Sequence, residues 1–313
     1  MKKVCVICVT YNRKEYLSKL LSALQHQDYK IDSVIIVDNC SSDQTNEMLQ
    51  EKGYVTKAEY DEVHYHENQN IKFYYYRSSR NMGGAGGFKE CFKIATTLDV
   101  DYYWVMDDDV LPQSTCLSKL LLNQNDQNKI TIPCRSDENF KDRIVTKIDM
   151  KSLFKGVANR KEYYNFDVSN NIAVVDMPFE GPLINAELAK RVGLPNDEYF
   201  IYYDDTDYAW RAKQYTNILY VHDAILNKQI IPIKSKDKNI SWKEYYLLRN
   251  TIYFDRKYGE NFGVRYIRPI LIWISLIFKN IISLNFKNLP KVNKAIFDGY
   301  VGKMGKSVEP GAF

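Results

Sequence analysis

Trp104-Val105-Met106-Asp107-Asp108-Asp109 sets an apolar run directly against three consecutive carboxylates. The run reads as a buried strand, and a strand that ends in stacked like charges is unfavourable unless a cation or a ligand's donors neutralise them. Asp107 and Asp109 are two residues apart, so in extended backbone they face the same way and can share one hard divalent ion. A solvated acidic turn is the structural alternative. Similar short apolar, β-branched and aromatic runs occupy 4–9, 33–37, 72–76 and 129–133, and longer amphipathic stretches lie at 14–27, 44–52, 87–98 and 114–124. Such alternation predicts an α/β layered fold with a largely parallel sheet. Ligands bind such sheets at the carboxyl ends of the strands, which here carry Thr10-Tyr11-Asn12-Arg13, Asp38-Asn39, 77–81 and the acidic triplet.

Two further stretches bear on chemistry. Asn81-Met82-Gly83-Gly84-Ala85-Gly86-Gly87 lies between a strand and a helix and has neither a Walker loop's Lys-Ser/Thr nor dinucleotide-binding glycine spacing. Its glycines either let backbone N–H groups approach an anionic or sugar ligand or let a helix pack tightly on a strand. Tyr203-Asp204-Asp205-Thr206-Asp207-Tyr208 supplies three more carboxylates, readable as a general base with acceptor-orienting neighbours or as an acidic helix N-terminus.

In combination these motifs, with Val37-Asp38-Asn39-Cys40-Ser41-Ser42-Asp43, resemble the bacterial family 2 glycosyltransferases over about residues 3–229. Asn-x-Gly-Gly-Ala-Gly-Gly-Phe, Met-Asp-Asp-Asp and Asp-Asp-x-Asp-Tyr are most similar to the galactofuranosyltransferase and rhamnosyltransferase branch. The resemblance implies a GT-A, Rossmann-like, mostly parallel sheet flanked by helices, and an inverting enzyme using Mn2+ or Mg2+. It implies that Thr10 and Asp38 contact the nucleotide base, with Tyr11, Asn12, Arg13 and Asp108 in the donor site. Asn81, Gly83 and Gly84 would flank the diphosphate-sugar, Asp107 and Asp109 would hold the metal, and Asp205 would be the catalytic base. Glu180, Gly181, Asp204 and Asp207 are expected to orient the acceptor. The implied donor is UDP-galactofuranose, with dTDP-rhamnose second, and the implied acceptor is a glycan or lipid-linked precursor.

One departure concerns the metal shell, to which this family usually adds a histidine about eighteen residues after the Arg that follows the second acidic group. That position falls near Lys228, and His222 comes about six residues early. Three arrangements stay open: metal held by Asp107, Asp109 and phosphates, Lys228 supplying part of the cation's charge, or His222 recruited by a shifted loop. The rival functions are a sugar nucleotidyltransferase, disfavoured because Thr10-Tyr11-Asn12-Arg13 lacks glycine, and a nucleotide- or glycan-binding paralogue without turnover.

Charge divides the 313-residue chain. Residues 1–227 hold 27 Lys and Arg against 33 Asp and Glu, whereas residues 228–306 hold 16 against 5. A GT-A domain over 1–233 and a helical basic region over 234–313 are expected, the latter with Ser241 capping a helix over 242–258 that Gly259 closes. The nine-residue run Ile270-Leu271-Ile272-Trp273-Ile274-Ser275-Leu276-Ile277-Phe278 is far short of the roughly 20 needed to span a bilayer. Set among lysines and arginines, it suits either an anionic membrane interface or a core helix, one on each face. No nucleic-acid-binding motif accompanies the basic residues. The six cysteines are scattered through the first half, and Cys5 and Cys8 point to opposite faces of one strand, so reduced thiols are expected. With few apolar residues after Met1-Lys2-Lys3, no secretory leader is expected, and the protein should work in the cytoplasm at the inner membrane face.

Overall fold

The computed structural model describes residues 1–136, 140–164, 169–230 and 239–312. Its first half runs β1 (Val4–Thr10), α1 (Lys14–Gln25), β2 (Ser33–Asp38), α2 (Thr45–Glu51), β3 (Val63–Asn68), β4 (Ile71–Arg77), α3 (Gly83–Ala95), β5 (Tyr102–Asp107), β6 (Val110–Pro112), α4 (Cys116–Leu122) and β7 (Ile130–Cys134). The second runs β8 (Val145–Ile148), α5 (Lys155–Ala158), β9 (Lys161–Tyr163), β10 (Ile172–Val174), β11 (Leu183–Asn185), α6 (Ala186–Val192), α7 (Asp204–Ala212), β12 (Ile218–Lys228), α8 (Trp242–Tyr258), α9 (Arg268–Ile282) and α10 (Leu289–Val301).

The main sheet has the order β10-β12-β7-β11-β5-β1-β2-β4-β3, with β6 paired to β12. β5, β1, β2 and β4 are mutually parallel, β7 and β12 run the same way, and β3, β10 and β11 are reversed. Helices cover both faces, which is why β1 and β2 are buried along their whole length and read as unbroken apolar runs. Cys5 joins the layer with Phe88 and Phe92 of α3, and Cys8 the opposite layer with Leu17 and Leu20 of α1. All six cysteines are free thiols.

His64 and His66 sit on β3, an edge strand whose alternating half-exposure hides it in a polar stretch. Between β7 and β10, β8 and β9 pair, and Val145, Ile148 and Met150 pack with Tyr199, Tyr203 and Phe254. Gly259 does close α8, but with φ of −53° rather than a left-handed turn; a Cβ there would meet the Asp255 carbonyl at 2.7 Å.

The expected boundary at 233/234 lies outside the described residues, while the C-terminal helices are bonded into the body. Ser241 and Glu244 form a capping box at the start of α8. Buried Asp255 accepts from Arg160 at 2.7 and 3.0 Å and from Arg268 Nε at 3.0 Å, and Gly156 leaves room for that second guanidinium. Asp255→Ala strands two buried cations, so we expect a loss of about 3–5 kcal/mol in the free energy of urea unfolding. A loss below 1 kcal/mol would mean that water reaches the cluster.

Candidate active site

A cleft of about 590 Å3 opens at the carboxyl ends of β1 and β5. Parallel pairing puts Thr10 beside Asp38 and Val9 beside Asp107, so the strands end together. β11 runs against β5, with Gly181 N–H donating to the Val105 carbonyl at 2.7 Å, and this brings Glu180 alongside the acidic turn. Tyr11, Arg13, Asn81, Gly83, Gly84, Asp107, Asp108, Asp109, Glu180, Asp204 and Asp205 all line the cleft with Thr10. The three separated motifs therefore meet in one place.

The three carboxylates of the turn have different surroundings. Asp108 is buried and accepts from Thr10 Oγ1 at 2.8 Å, Arg13 Nη1 at 2.9 Å and the Tyr11 N–H at 3.4 Å. Arg13 also donates to Asp109 Oδ2 at 3.0 Å, whereas Asp109 Oδ1 is buried with no partner among the described residues. Asp107 has no hydrogen-bond donor among the described residues. Burial, then the negative charges of Glu180, Asp109 and Asp108, push its carboxyl well above the usual range. A free carboxylate and an orphaned oxygen two residues away fit a hard divalent cation, which prefers oxygen ligands. No third His, Cys, Asp or Glu among the described residues joins them at ligand spacing; the one such group is Glu59, Glu62 and His64 at the β3 edge.

Neither substitute for a histidine ligand stands free. His222 is half-buried at a register shift in β12 and its Nδ1 pairs with Asn171 Oδ1 at 2.9 Å, outside the cleft. Lys228, opposite Val110 in the β12–β6 ladder, donates to Glu180 Oε2 at 2.7 Å, and Arg135 donates to the same oxygen at 2.5 Å. Burial opposes ionisation of Glu180, but these two cations hold it below its ordinary value. Lys228 also favours the charged form of Asp107, so its contribution reaches the acidic turn through space.

The glycine run belongs to α3, which starts four residues earlier than its amphipathic pattern suggests. Gly83 has a left-handed φ of +73°, and a Cβ there would meet the Phe200 carbonyl at 2.1 Å. Cβ atoms on Gly86 and Gly87 would strike Met82 at 2.6 Å and Val9 at 2.5 Å, so these two serve close packing. Gly84 alone of the four borders open space. Asn81 Oδ1 accepts from the Gly83 N–H at 2.8 Å, and Asn39, absent from the expected site, braces the turn by accepting from Met82 N–H at 2.8 Å and donating to Gly83 O at 3.0 Å.

The second acidic group opens α7. Phe200, Tyr202 and Tyr203 have φ of 65°, 63° and 72°, values costly for side chains of this size. Asn250 of α8 holds the loop by donating to the carbonyls of Tyr199, Ile201 and Tyr202, and Arg249 donates to Tyr199 O at 2.9 Å. Asp205 accepts from the Thr206 N–H at 2.6 Å, and its other oxygen has no donor among the described residues. Burial, then the charge of Asp176, raises Asp205 to about 6, while Lys161, which donates to Asp176 at 2.5 Å, works in the other direction. Burial and Asp205 raise Asp204 to about 8. A carboxylate poised near neutrality, with one oxygen free toward a cleft, can accept a proton from a hydroxyl.

Four expected residues have other duties. Asp207 is fully buried and bonded to Arg211, Lys257, Tyr199 and Tyr258, so it anchors α7 to α8 rather than orienting an acceptor. Gly181 is behind the cleft wall: its φ is +96°, a Cβ would meet Pro133 at 2.6 Å, and its carbonyl accepts from Trp104 Nε1 at 3.0 Å. Asp38 is buried, accepting from Tyr75 Oη at 2.9 Å and Ser41 N–H at 2.8 Å, and does not line the cleft. Asn12 turns to the loop after β2, where it accepts from the Ser42 N–H at 2.7 Å. Conversely Trp242, Lys243 and Pro310 of the C-terminal segment line the cleft with no motif to signal it.

Residues 5–177, more than half of the chain, match the model of a family described as Glycosyl transferase family 2. Galactofuranosyltransferase GlfT1 of Mycolicibacterium smegmatis is 26% identical over 220 residues, 65% of this chain and 63% of that protein. Abequosyltransferase RfbV of Salmonella typhimurium is 32% identical over 102 residues, 32% of this chain and 26% of its own length. The chain thus spans less than two thirds of these relatives. Among solved structures, mannosyltransferase PcManGT from Pyrobaculum calidifontis in complex with GDP-Man and Mn2+ superimposes with a TM-score of 0.55 at 15% identity, covering 94% of this chain and 74% of that one. S. aureus TarS 1-349 in complex with UDP-GlcNAc gives 0.54 at 13%, covering 95% and 81%. These likenesses establish the GT-A architecture, and the match over residues 5–177 establishes kinship: the chain belongs to glycosyl transferase family 2.

Proposed function

We propose that this chain transfers a sugar from a nucleotide diphosphate donor to a hydroxyl of a cell-surface glycan or lipid-linked precursor, with inversion at the anomeric carbon. The observation carrying this reading is that the partnerless carboxylate of Asp107 and orphaned Asp109 Oδ1 share one cleft with the open oxygen of Asp205. Asp107 and Asp109 would hold Mn2+ or Mg2+, whose charge stabilises the departing nucleoside diphosphate. Gly84, with open space in front of it, lets the donor come close to the backbone of α3. Arg13 fixes Asp108 and Asp109 before donor arrives, so little reorganisation is left for the reaction itself. Asp205 takes the proton of the acceptor hydroxyl as its oxygen attacks the anomeric carbon and the bond to the diphosphate breaks, without a covalent sugar intermediate. UDP-galactofuranose is the favoured donor and dTDP-rhamnose the second, supported by the similarity to the M. smegmatis galactofuranosyltransferase.

Release of nucleoside diphosphate should be measured with UDP-galactofuranose, dTDP-rhamnose, UDP-GlcNAc and GDP-mannose, with and without Mn2+. Release at least about tenfold faster from UDP-galactofuranose, abolished by chelation, is the expected result; tenfold is the discrimination that about 1.4 kcal/mol of transition-state binding supplies. Preference for another donor would move the specificity. Tight metal-independent nucleotide binding without release from any donor would instead make this a binding protein.

A further inference from the structure

The C-terminal helices expose an apolar surface that the cleft chemistry does not use. On α9, Arg268, Pro269, Ile272 and Asn280 are buried against the body. Ile270, Trp273, Ile274, Phe278, Ile281 and Ile282 recur at helical spacing on the other side and are exposed. The turn into α10 adds Leu284 and Phe286, and α10 itself adds Phe297 and Val301. Exposure reaches 60% at Phe278, 80% at Ile282, 76% at Leu284 and 64% at Phe297. Between the two helices lies an apolar groove of about 410 Å3, with Trp273 and Phe297 in its walls. The expectation of one face for the core and one for a membrane becomes a division of α9 by residue. A continuous apolar patch of this kind marks an interaction site.

Charge selects the occupant. From Asn261 to Phe297 the sequence contains six Lys and Arg and no Asp or Glu. Arg268 is spent on Asp255 and Lys294 on Asp298, while Arg265, Lys279 and Lys287 are exposed. A partner helix with a mixed-charge rim would gain little from an exclusively cationic border, whereas an anionic bilayer offers apolar chains below a negatively charged headgroup layer. Trp273 has an interfacial build, its ring in the apolar groove and its Nε1–H donating to Asn293 Oδ1 at 2.7 Å. Among the described residues no helix is long and apolar enough to cross a membrane.

We infer that the face built by α9, the α9–α10 turn and α10 docks the protein on an anionic lipid bilayer, with Phe278, Ile282 and Leu284 entering the acyl region and Arg265, Lys279 and Lys287 at the headgroups. The segment 239–312 also contributes Trp242, Lys243 and Pro310 to the cleft, so docking and acceptor access belong to one structural unit. The cytoplasmic leaflet, with its anionic lipids, is the bilayer this surface matches.

The test is co-sedimentation of the full chain with vesicles of phosphatidylglycerol and phosphatidylcholine, against vesicles of phosphatidylcholine alone, with sedimentation velocity run in parallel. We expect binding to the anionic vesicles at least tenfold stronger than to the neutral ones and weakened by 0.5 M salt. Phe278→Glu/Ile282→Glu should lose at least tenfold in vesicle binding while its circular dichroism and nucleoside diphosphate release stay at the wild-type level. Brominated lipids should quench tryptophan emission in the parent chain and not in Trp273→Phe. Failure to sediment with anionic vesicles, or equal sedimentation of parent and double variant, overturns the inference. So does a parent chain that is a dimer in solution, ignores vesicles and becomes monomeric in the double variant, which would assign the face to a second copy. Donor turnover is read separately, so the docking surface and the proposed transfer reaction can fail independently.

Discussion

Asp107→Ala is expected to lower nucleoside diphosphate release by roughly 10²–10³-fold, the scale on which removal of one group stabilising a developing charge is felt. The same variant should bind Mn2+ at least tenfold more weakly by electron paramagnetic resonance titration. Its thermal midpoint should stay level or rise. Asp107 has no side-chain hydrogen bond to lose among the described residues, and its charge is opposed by burial and by Glu180, Asp109 and Asp108, so alanine removes a repulsion that the fold otherwise carries. Such a split between activity and stability is the mark of a residue kept for chemistry. Asp108→Ala should behave in the opposite way, losing stability because Thr10, Tyr11 and Arg13 all donate to that carboxylate. Unchanged turnover in Asp107→Ala would remove this turn from the reaction.

Asp205→Asn should reduce sugar transfer to acceptor by about 10²–10⁴-fold, the range of a lost general base, while leaving nucleotide affinity within a factor of a few. The amide keeps the shape of the side chain and cannot take a proton. In the parent protein, Asp205 is raised to about 6 by burial and by Asp176. It must be ionised to act, so kcat/KM for transfer should fall tenfold per pH unit below about pH 6 and level off above it. Asp176→Asn removes the larger of the two carboxylate charges that raise Asp205, the other being Glu180, so the acid limb should move to lower pH. A limb that stays in place in Asp176→Asn, or full transfer by Asp205→Asn, would assign the proton to another group.

The layered α/β architecture and the position of the acidic turn were legible because parallel strands covered on both faces must be apolar along their length. The change from Met106 to Asp107 then marks a strand's carboxyl end with little ambiguity. The glycine run was legible as a feature but not as a helix, because Gly86 and Gly87 are selected by what presses on them, Met82 and Val9, and such closeness leaves no local signal. Asp204, Asp205 and Asp207 look equivalent in sequence. Only packing against α8 converts Asp207 into a buried anchor for Lys257 and Tyr258 and leaves Asp205 open to the cleft.

Arg135 was missed, and Asn39 was legible only as a strand end and not as a brace for the glycine turn, since a contact made across 43 or 45 positions has no spacing to betray it. By itself, the sequence determined which strands carry chemistry and that an acidic body is joined to a basic, partly apolar C-terminal segment; periodicity and composition are local properties. The tertiary structure alone decided which carboxylates stay unpartnered, that Lys228 is tied to Glu180 while His222 lies outside the cleft, and which side of α9 faces solvent. Those outcomes depend on burial and on the charges that non-neighbouring residues bring within a few ångströms, where electrostatic interactions are strongest.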